Sequence, residues 1–145
     1  MTIRVFDMEL READLADRLR LSGLRPTRQR LSLAAILFGS GDRHVSAESL
    51  HQDALAAKID VSLATVYNTL NQFKAAGLLR EVAFEGDRTF FDTNTSNHFH
   101  YYLEDSDSLV DIEAENLEVK GLPPLPYGTE IDRVDIIVRL RKSGK

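Results

Sequence analysis

Apolar and polar positions recur at helical spacing along the first two thirds of the chain. The clearest stretch runs from Ser62 to Ala76. Ser62 is a favourable N-cap, and Gly77 stands where helices commonly end in the left-handed conformation. The pattern therefore predicts an amphipathic helix, whose apolar stripe consists of Leu63, Val66, Tyr67, Leu70 and Phe73.

The other face of this helix carries uncharged polar side chains, namely Thr65, Asn68, Thr69 and Gln72. Hydroxyl and amide groups of this kind can read base edges in the major groove of DNA. A solvated helix face usually carries Glu and Lys instead. On this pattern alone, an ordinary surface helix is an equal alternative.

Three further helices are predicted before this one, over residues 7–22, 27–38 and 46–57. Thr27 and Ser46 are the predicted N-caps of the second and third. Leu50, Ala54 and Leu55 are expected to face the core from the third helix. The short connection 58–61 then leads to the helix from Ser62, which is the arrangement of a helix-turn-helix.

Two strand-like runs, 79–84 and 89–92, follow with a turn at Gly86-Asp87 between them. A helix-turn-helix followed by a hairpin predicts a winged helix. Arg88 in the wing can reach the DNA backbone or minor groove, or it can be a solvated turn residue.

A polar stretch, 94–97, is predicted to be a linker to a strand-rich second domain. Strands are expected over 98–103, 109–112 and 132–140, with a weak helix signal over 113–120 and a Pro-rich segment over 122–128. Three short strands bury little alone, so a homodimer that shares a sheet is expected. The predicted fold class is α+β, with a winged-helix domain over 1–93 and a small α/β dimerisation domain over 98–145.

Composition narrows the class of protein. The hydrophobic content of 43% supports a folded core. No apolar run is long enough to cross a membrane and no signal-peptide pattern is present. The chain has no cysteine, which fits a cytoplasmic protein. The absence of cysteine excludes a zinc site built from thiolates.

Charge is unevenly distributed around the net value of −5. Five arginines and no acid lie between Arg18 and Arg30, whereas seven acids and no base lie between Thr95 and Glu118. Because phosphate attraction depends on the local field, a basic segment on an acidic protein can still bind DNA.

His98-Phe99-His100 is the strongest metal-binding signal. Residues two apart in a strand share a face, so both imidazoles can reach one ion. Asp92, Asp111 and His44 are the candidate partners, while His51 is expected on the surface of the third helix. Two surface histidines are the simpler alternative, and a metal-dependent hydrolase is a rival that leaves the helix-turn-helix unexplained.

Four segments closely resemble the ferric uptake regulator (Fur) family, in order along most of the chain. They are Gly23-Leu-Arg-Pro-Thr-Arg-Gln-Arg30, His44-Val-Ser-Ala-Glu-Ser-Leu50, Val61-Ser-Leu-Ala-Thr-Val-Tyr-Asn-Thr-Leu70 and Gly77-Leu-Leu79. The His98-Phe-His100 motif and the ending Arg133-Val-Asp-Ile-Ile-Val-Arg-Leu-Arg-Lys142 look most like its iron response regulator (Irr) branch.

The resemblance implies a dimeric transcription regulator of iron or haem genes, not an enzyme, that binds a palindromic site on double-stranded DNA. It also implies one inter-domain site for iron, manganese or zinc on His44, Asp92, His98 and His100, with Asp111 as a further ligand. The expected DNA contacts are Arg25, Thr27, Arg28, Arg30, Ser62, Ala64, Thr65, Tyr67, Asn68 and Arg88.

Two departures from the family pattern limit what carries over. No Cys-x-x-Cys pair is present, and Asn97 and Phe99 stand where a second metal site would alternate with the first. If haem acts on this protein, His98 and His100 are the axial candidates. A zinc or manganese regulator is the nearest alternative, and a haem-binding protein without a DNA function is a more distant one.

Overall fold

The computed structural model describes residues 5–39, 41–83 and 89–144, which fall into two units, Met1–Thr95 and Ser96–Lys145. All the α-helices described lie in the first unit, and each unit has its own three-stranded sheet. The α+β fold class with an N-terminal winged helix is therefore confirmed. Within the described ranges, no helix combines the length and apolar character that a membrane span needs.

The helices of the first unit are α1 (Val5–Leu21), α2 (Arg28–Phe38), α3 (Ala47–Ala56) and α4 (Leu63–Ala75). Side-chain hydroxyls start three of them, because Thr27, Ser46 and Ser62 each accept a hydrogen bond from the backbone N–H three residues ahead. The chain leaves α4 through Gly77, whose φ of 82° suits a residue without a Cβ. The predicted caps and the glycine stop are confirmed.

One apolar core holds α2, α3 and α4 together. Leu37, Leu50, Leu70 and Phe73 are fully buried in it. Leu55, which the sequence pattern assigned to the core, is exposed instead. It follows the buried Ala54 by one residue, so it projects about 100° away around α3 and faces outward.

The predicted division of α4 into two faces is partly wrong. Leu63 and Tyr67 are exposed, whereas Thr69 is buried beside Val66. The Thr69 hydroxyl donates to the Thr65 carbonyl at 2.8 Å, so its polar group is satisfied within the helix. The buried stripe is therefore narrower than the apolar pattern suggests, and Tyr67 lies on the outward side.

A small antiparallel sheet completes the first unit. It consists of β1 (His44–Val45), β2 (Arg80–Ala83) and β3 (Thr89–Asp92), in the order β1-β3-β2. The sequence pattern does not predict β1, because two residues carry no periodicity. The turn predicted at Gly86-Asp87 and the wing residue Arg88 lie outside the described residues.

The second unit is a sheet of β4 (His98–Leu103), β5 (Ser108–Glu113) and β6 (Ile137–Leu140). The order is β5-β4-β6, with β4 antiparallel to β5 and parallel to β6. The strand predicted over 132–140 is shorter than expected. The weak helix signal over 113–120 corresponds to a single 3₁₀ turn, Ala114–Asn116.

Candidate metal centre and DNA-binding surface

In the first unit, strand pairing places His44 directly opposite Asp92. His44 Nε2 lies 3.0 Å from Asp92 Oδ2, and the other carboxylate oxygen accepts a hydrogen bond from Asn94 N at 2.8 Å. Asp92 is 0% exposed. An imidazole nitrogen and a carboxylate oxygen are donor types that bind divalent transition metals, so this pair is a candidate for cation binding.

Two hydrogen bonds hold the backbone around this pair. Arg43 N donates to Thr93 Oγ1 at 2.9 Å, and Thr93 N donates to Arg43 O at 3.1 Å. Arg43 and Thr93 adjoin His44 and Asp92 in sequence. These hydrogen bonds, together with the pairing of Val45 with Phe91, hold the backbone on either side of the two candidate ligands.

In the second unit, strand pairing gathers three further candidate ligands. His98 and His100 lie on one face of β4, and the register sets Asp111 opposite His100. Asp111 Oδ1 lies 3.3 Å from His98 Nε2 and 3.4 Å from His100 Nε2. The two histidines are 2% and 3% exposed, so this is a built polar cluster and not a pair of surface histidines.

A backbone contact on the Nδ1 side of the ring sets the orientation of His98. Its Nδ1 lies 2.6 Å from the backbone carbonyl of Ser96, an acceptor that requires the proton on Nδ1. In the neutral imidazole, Nε2 then carries the lone pair and faces Asp111. Imidazole ligands of metal ions are typically held in this way through their second nitrogen.

The chemistry of these groups fits a divalent transition metal. Ligand atoms around an ion with bonds of about 2.0–2.2 Å lie roughly 3.0–3.5 Å apart, which matches the separations within each cluster. Imidazole and carboxylate donors without thiolate suit iron, manganese and zinc. The first unit thus holds two of the five predicted ligands in contact, and the second unit holds the other three.

Helix α4 presents the candidate base-reading surface. Ala64, Tyr67 and Asn68 are exposed, and Tyr67 is 44% exposed despite its size. Ser62 and Thr65 are partly engaged, because the Ser62 hydroxyl caps the helix and donates to Thr65 Oγ1 at 2.9 Å. The outward surface of α4 is therefore an aromatic ring beside an amide.

The arginines before and within α2 differ in environment. Arg25 and Arg28 are exposed, and Thr27 is the helix cap. Arg30 is engaged at all three guanidinium nitrogens. Its Nε and Nη2 donate to Gln72 Oε1 at 3.3 and 3.1 Å, and its Nη1 donates to the Arg25 carbonyl at 2.9 Å.

Two contacts in the first unit cannot be predicted from the sequence. The Arg30–Gln72 pair joins α2 to α4 across 42 residues. His51, expected on the surface, is half-buried with Nε2 3.0 Å from the Val61 carbonyl, so it ties α3 to the turn before α4. No spacing or local pattern indicates either contact, because both depend on tertiary packing.

A helix-turn-helix with a flanking sheet, followed by a strand-rich unit bearing candidate histidine and aspartate ligands, is the arrangement of a metal-responsive winged-helix regulator. The family model described as the ferric uptake regulator family matches residues 21–138. The chain belongs to the ferric uptake regulator family, whose members are dimeric DNA-binding transcription regulators and not enzymes.

Relatives and solved structures support this assignment. A ferric uptake regulation protein from Pseudomonas fluorescens is 36% identical over 104 residues, covering 72% of this chain and 84% of that protein. A peroxide-responsive repressor from Staphylococcus epidermidis is 35% identical over 113 residues, covering 77% of this chain and 73% of that protein. The structure of the Pseudomonas aeruginosa ferric uptake regulator with manganese has a TM-score of 0.66 at 27% identity, covering 88% of this chain and 97% of that chain.

Proposed function

We propose that this chain is a homodimeric, sequence-specific transcription regulator whose affinity for DNA depends on a bound divalent metal ion. The observation that carries the proposal is the cluster of His98, His100 and Asp111, in which two buried imidazoles face one oxygen of a partly buried carboxylate. Two histidines that served only as polar surface residues would be exposed and would not share one carboxylate. The place of action proposed for this regulator is the cytoplasm.

The proposed regulatory site joins His44 and Asp92 to His98 and His100, with Asp111 as a further ligand. The domain boundaries proposed with it are 1–93 and 98–145, with 94–97 as the linker. Each group contributes a nitrogen or carboxylate oxygen that is already oriented within its own unit. A bound cation would neutralise buried carboxylate charge and cross-link donors from two parts of the chain. Metal binding would thereby limit the orientations that the DNA-binding unit can adopt.

On the DNA side, α4 is the proposed recognition helix. Tyr67 and Asn68 would contact base edges, and Arg25 and Arg28 would contact phosphates. Two copies of α4, held by the dimer, would read a palindromic site. Arg88 is proposed as a wing contact from its sequence position alone.

Iron or haem response is the finer proposal, supported by the His98-Phe-His100 motif and its likeness to the iron response branch. The arrangement of the imidazoles favours a metal ion over haem held between them. Axial histidines bind opposite faces of a haem, whereas here both Nε2 atoms lie on the same carboxylate oxygen. Haem ligation through these residues would require one imidazole to turn away.

The test is DNA binding during titrations with Fe²⁺, Mn²⁺, Zn²⁺ and haem, compared between the natural protein and a His98→Ala/His100→Ala variant. The natural protein should change its affinity at least tenfold with the cognate ion, and the variant should lose that response. His51→Gln is the matched control, because it keeps an N–H for the Val61 carbonyl outside the cluster. An unchanged metal response in the double variant would remove both histidines from the site.

The same titration separates the rival functions. A response confined to Zn²⁺ or Mn²⁺ would identify a zinc or manganese regulator. Haem binding without affinity for any promoter DNA at low salt would indicate a haem-binding protein that only shares the fold.

A further inference from the structure

The second unit buries very little apolar surface by itself. Of its described apolar side chains, Tyr102, Leu109 and Ile112 are the buried ones, and the connected apolar core belongs to the first unit. A unit of this size without disulfides ordinarily requires a metal or a partner chain to be stable. Contacts with a second copy would supply the apolar burial that this unit lacks by itself.

An extended segment of this unit carries apolar side chains into solvent. The segment, here termed the arm, is residues 118–133, and every one of these residues is exposed. Unstructured connections longer than about 12–15 residues are uncommon in compact domains and are usually functional. The five large apolar side chains of the arm are Val119, Leu122, Leu125, Tyr127 and Ile131, which are 41%, 57%, 48%, 105% and 52% exposed.

Prolines make the arm suited to binding. Pro123, Pro124 and Pro126 fix φ and favour an extended, polyproline-like backbone. A segment that is already extended loses less conformational entropy when it binds. The apolar side chains near these prolines can therefore bind a partner surface with a small loss of conformational entropy.

One face of the second sheet is also apolar and exposed. Strand alternation puts the histidines of β4 on one face and Tyr101 on the other. Val110 and Val138 lie beside Tyr101 by strand register, and Leu140 lies two residues further along β6. These four residues form the apolar sheet face, in which Tyr101, Val110 and Leu140 are 38%, 48% and 39% exposed.

We propose that, in the homodimer, the arm of each copy lies across the apolar sheet face of the other. The inference rests on the proposed homodimer and adds the surface that forms it. Within one chain the arm and the face are both exposed, so they do not cover each other. A second copy brings one arm for every face, and a two-fold axis then satisfies both with identical contacts.

The area involved is sufficient for a stable dimer. Covering the exposed apolar side chains of the arm and the face in both copies would remove roughly 1,200 Å² of surface, at the lower end of the range for specific interfaces. The apolar sheet face lies on the side of the sheet away from His98 and His100, so the arm would not compete with metal binding. The arrangement would also supply the apolar contacts that the second unit lacks.

Engineered disulfides test the exchange directly, because the natural chain has no cysteine. Val110→Cys is combined in turn with Leu122→Cys, Leu125→Cys and Tyr127→Cys in the full-length protein, which is oxidised and run on a non-reducing gel. At least one combination should give a covalent dimer in high yield. Glu113→Cys, on the histidine face, replaces Val110→Cys in the control, which should remain uncrosslinked.

The outcomes are distinguishable. A disulfide within one chain, which leaves a monomer on the gel, would show that the arm covers its own sheet and would overturn the proposal. So would the absence of any arm–face disulfide in a protein that sediments as a dimer. A natural protein that is monomeric would overturn the proposed homodimer as well.

Charged substitutions in the arm give a second measurement. Leu125→Asp and Tyr127→Asp should raise the dimer dissociation constant at least tenfold in analytical ultracentrifugation, while metal bound per chain stays the same. Glu130→Gln, a polar change in the same arm, should leave the dissociation constant unchanged. Equal dissociation constants for all three variants would contradict the arm's role.

Discussion

The Arg30 guanidinium offers the sharpest test of how α4 is held. Three of its nitrogens donate hydrogen bonds, two to Gln72 on α4 and one to the Arg25 carbonyl before α2. A side chain used in this way braces the recognition helix against α2.

Removing this brace should destabilise the free protein. Each hydrogen bond contributes about 0.5–1.5 kcal/mol net, and partial exposure places these near the lower end of that range. Arg30→Ala is therefore expected to cost about 1–2 kcal/mol, and Gln72→Ala about 1 kcal/mol. In a double-mutant cycle, the coupling between the two substitutions should be about 1 kcal/mol.

Urea denaturation followed by far-ultraviolet circular dichroism measures these energies, because the α-helices described all lie in the first unit. Arg28→Ala is the matched control on the same helix, and it should change stability by less than about 0.5 kcal/mol because Arg28 is exposed. If Arg30→Ala and Gln72→Ala have additive effects, or Arg30→Ala leaves stability unchanged, the brace is refuted.

Three further predictions concern the site and the core. Asp111→Ala should weaken metal binding at least tenfold in competition titrations with a chelating dye, whereas Glu113→Ala on the same strand should not; equal effects would exclude Asp111 as a ligand or positioning group. Tyr67→Ala should relax sequence preference in DNA-binding assays, whereas Arg28→Ala should weaken all sequences alike and reduce the salt slope by about 1; the opposite pattern would exchange their roles. Phe73→Ala should lower unfolding free energy by about 3–5 kcal/mol, because it empties a fully buried position in the core; a loss below about 1 kcal/mol would contradict the packing of α4.

Local signals predict most of the first unit. The caps at Thr27, Ser46 and Ser62 and the stop at Gly77 depend on neighbouring residues, and all four are found. The features that the sequence does not predict depend on contacts between residues far apart along the chain. Strand β1 is only two residues long, and it exists because β3 offers a partner.

The candidate metal ligands show the same division. The spacing of His98 and His100 predicts a shared face from strand geometry alone, and the structure gives them burial that spacing does not imply. Asp111 comes opposite His100 through a register that depends on the turn between β4 and β5. The carbonyl of Ser96 that orients His98 belongs to the backbone, so no residue type in the sequence marks it.

The packing of the first unit determines how a signal at Asp92 can reach the DNA-binding surface. Phe91, the residue before Asp92, is buried in the same core as Leu70 and Phe73 of α4. Close-packed cores transmit displacements and do not deform gradually, so a force on Asp92 would move α4 together with the rest of its unit. A proposed metal ion that binds Asp92 would then act by reorienting an intact recognition helix. When the metal binds, the circular dichroism signal of the protein should stay the same while the affinity of the protein for DNA changes.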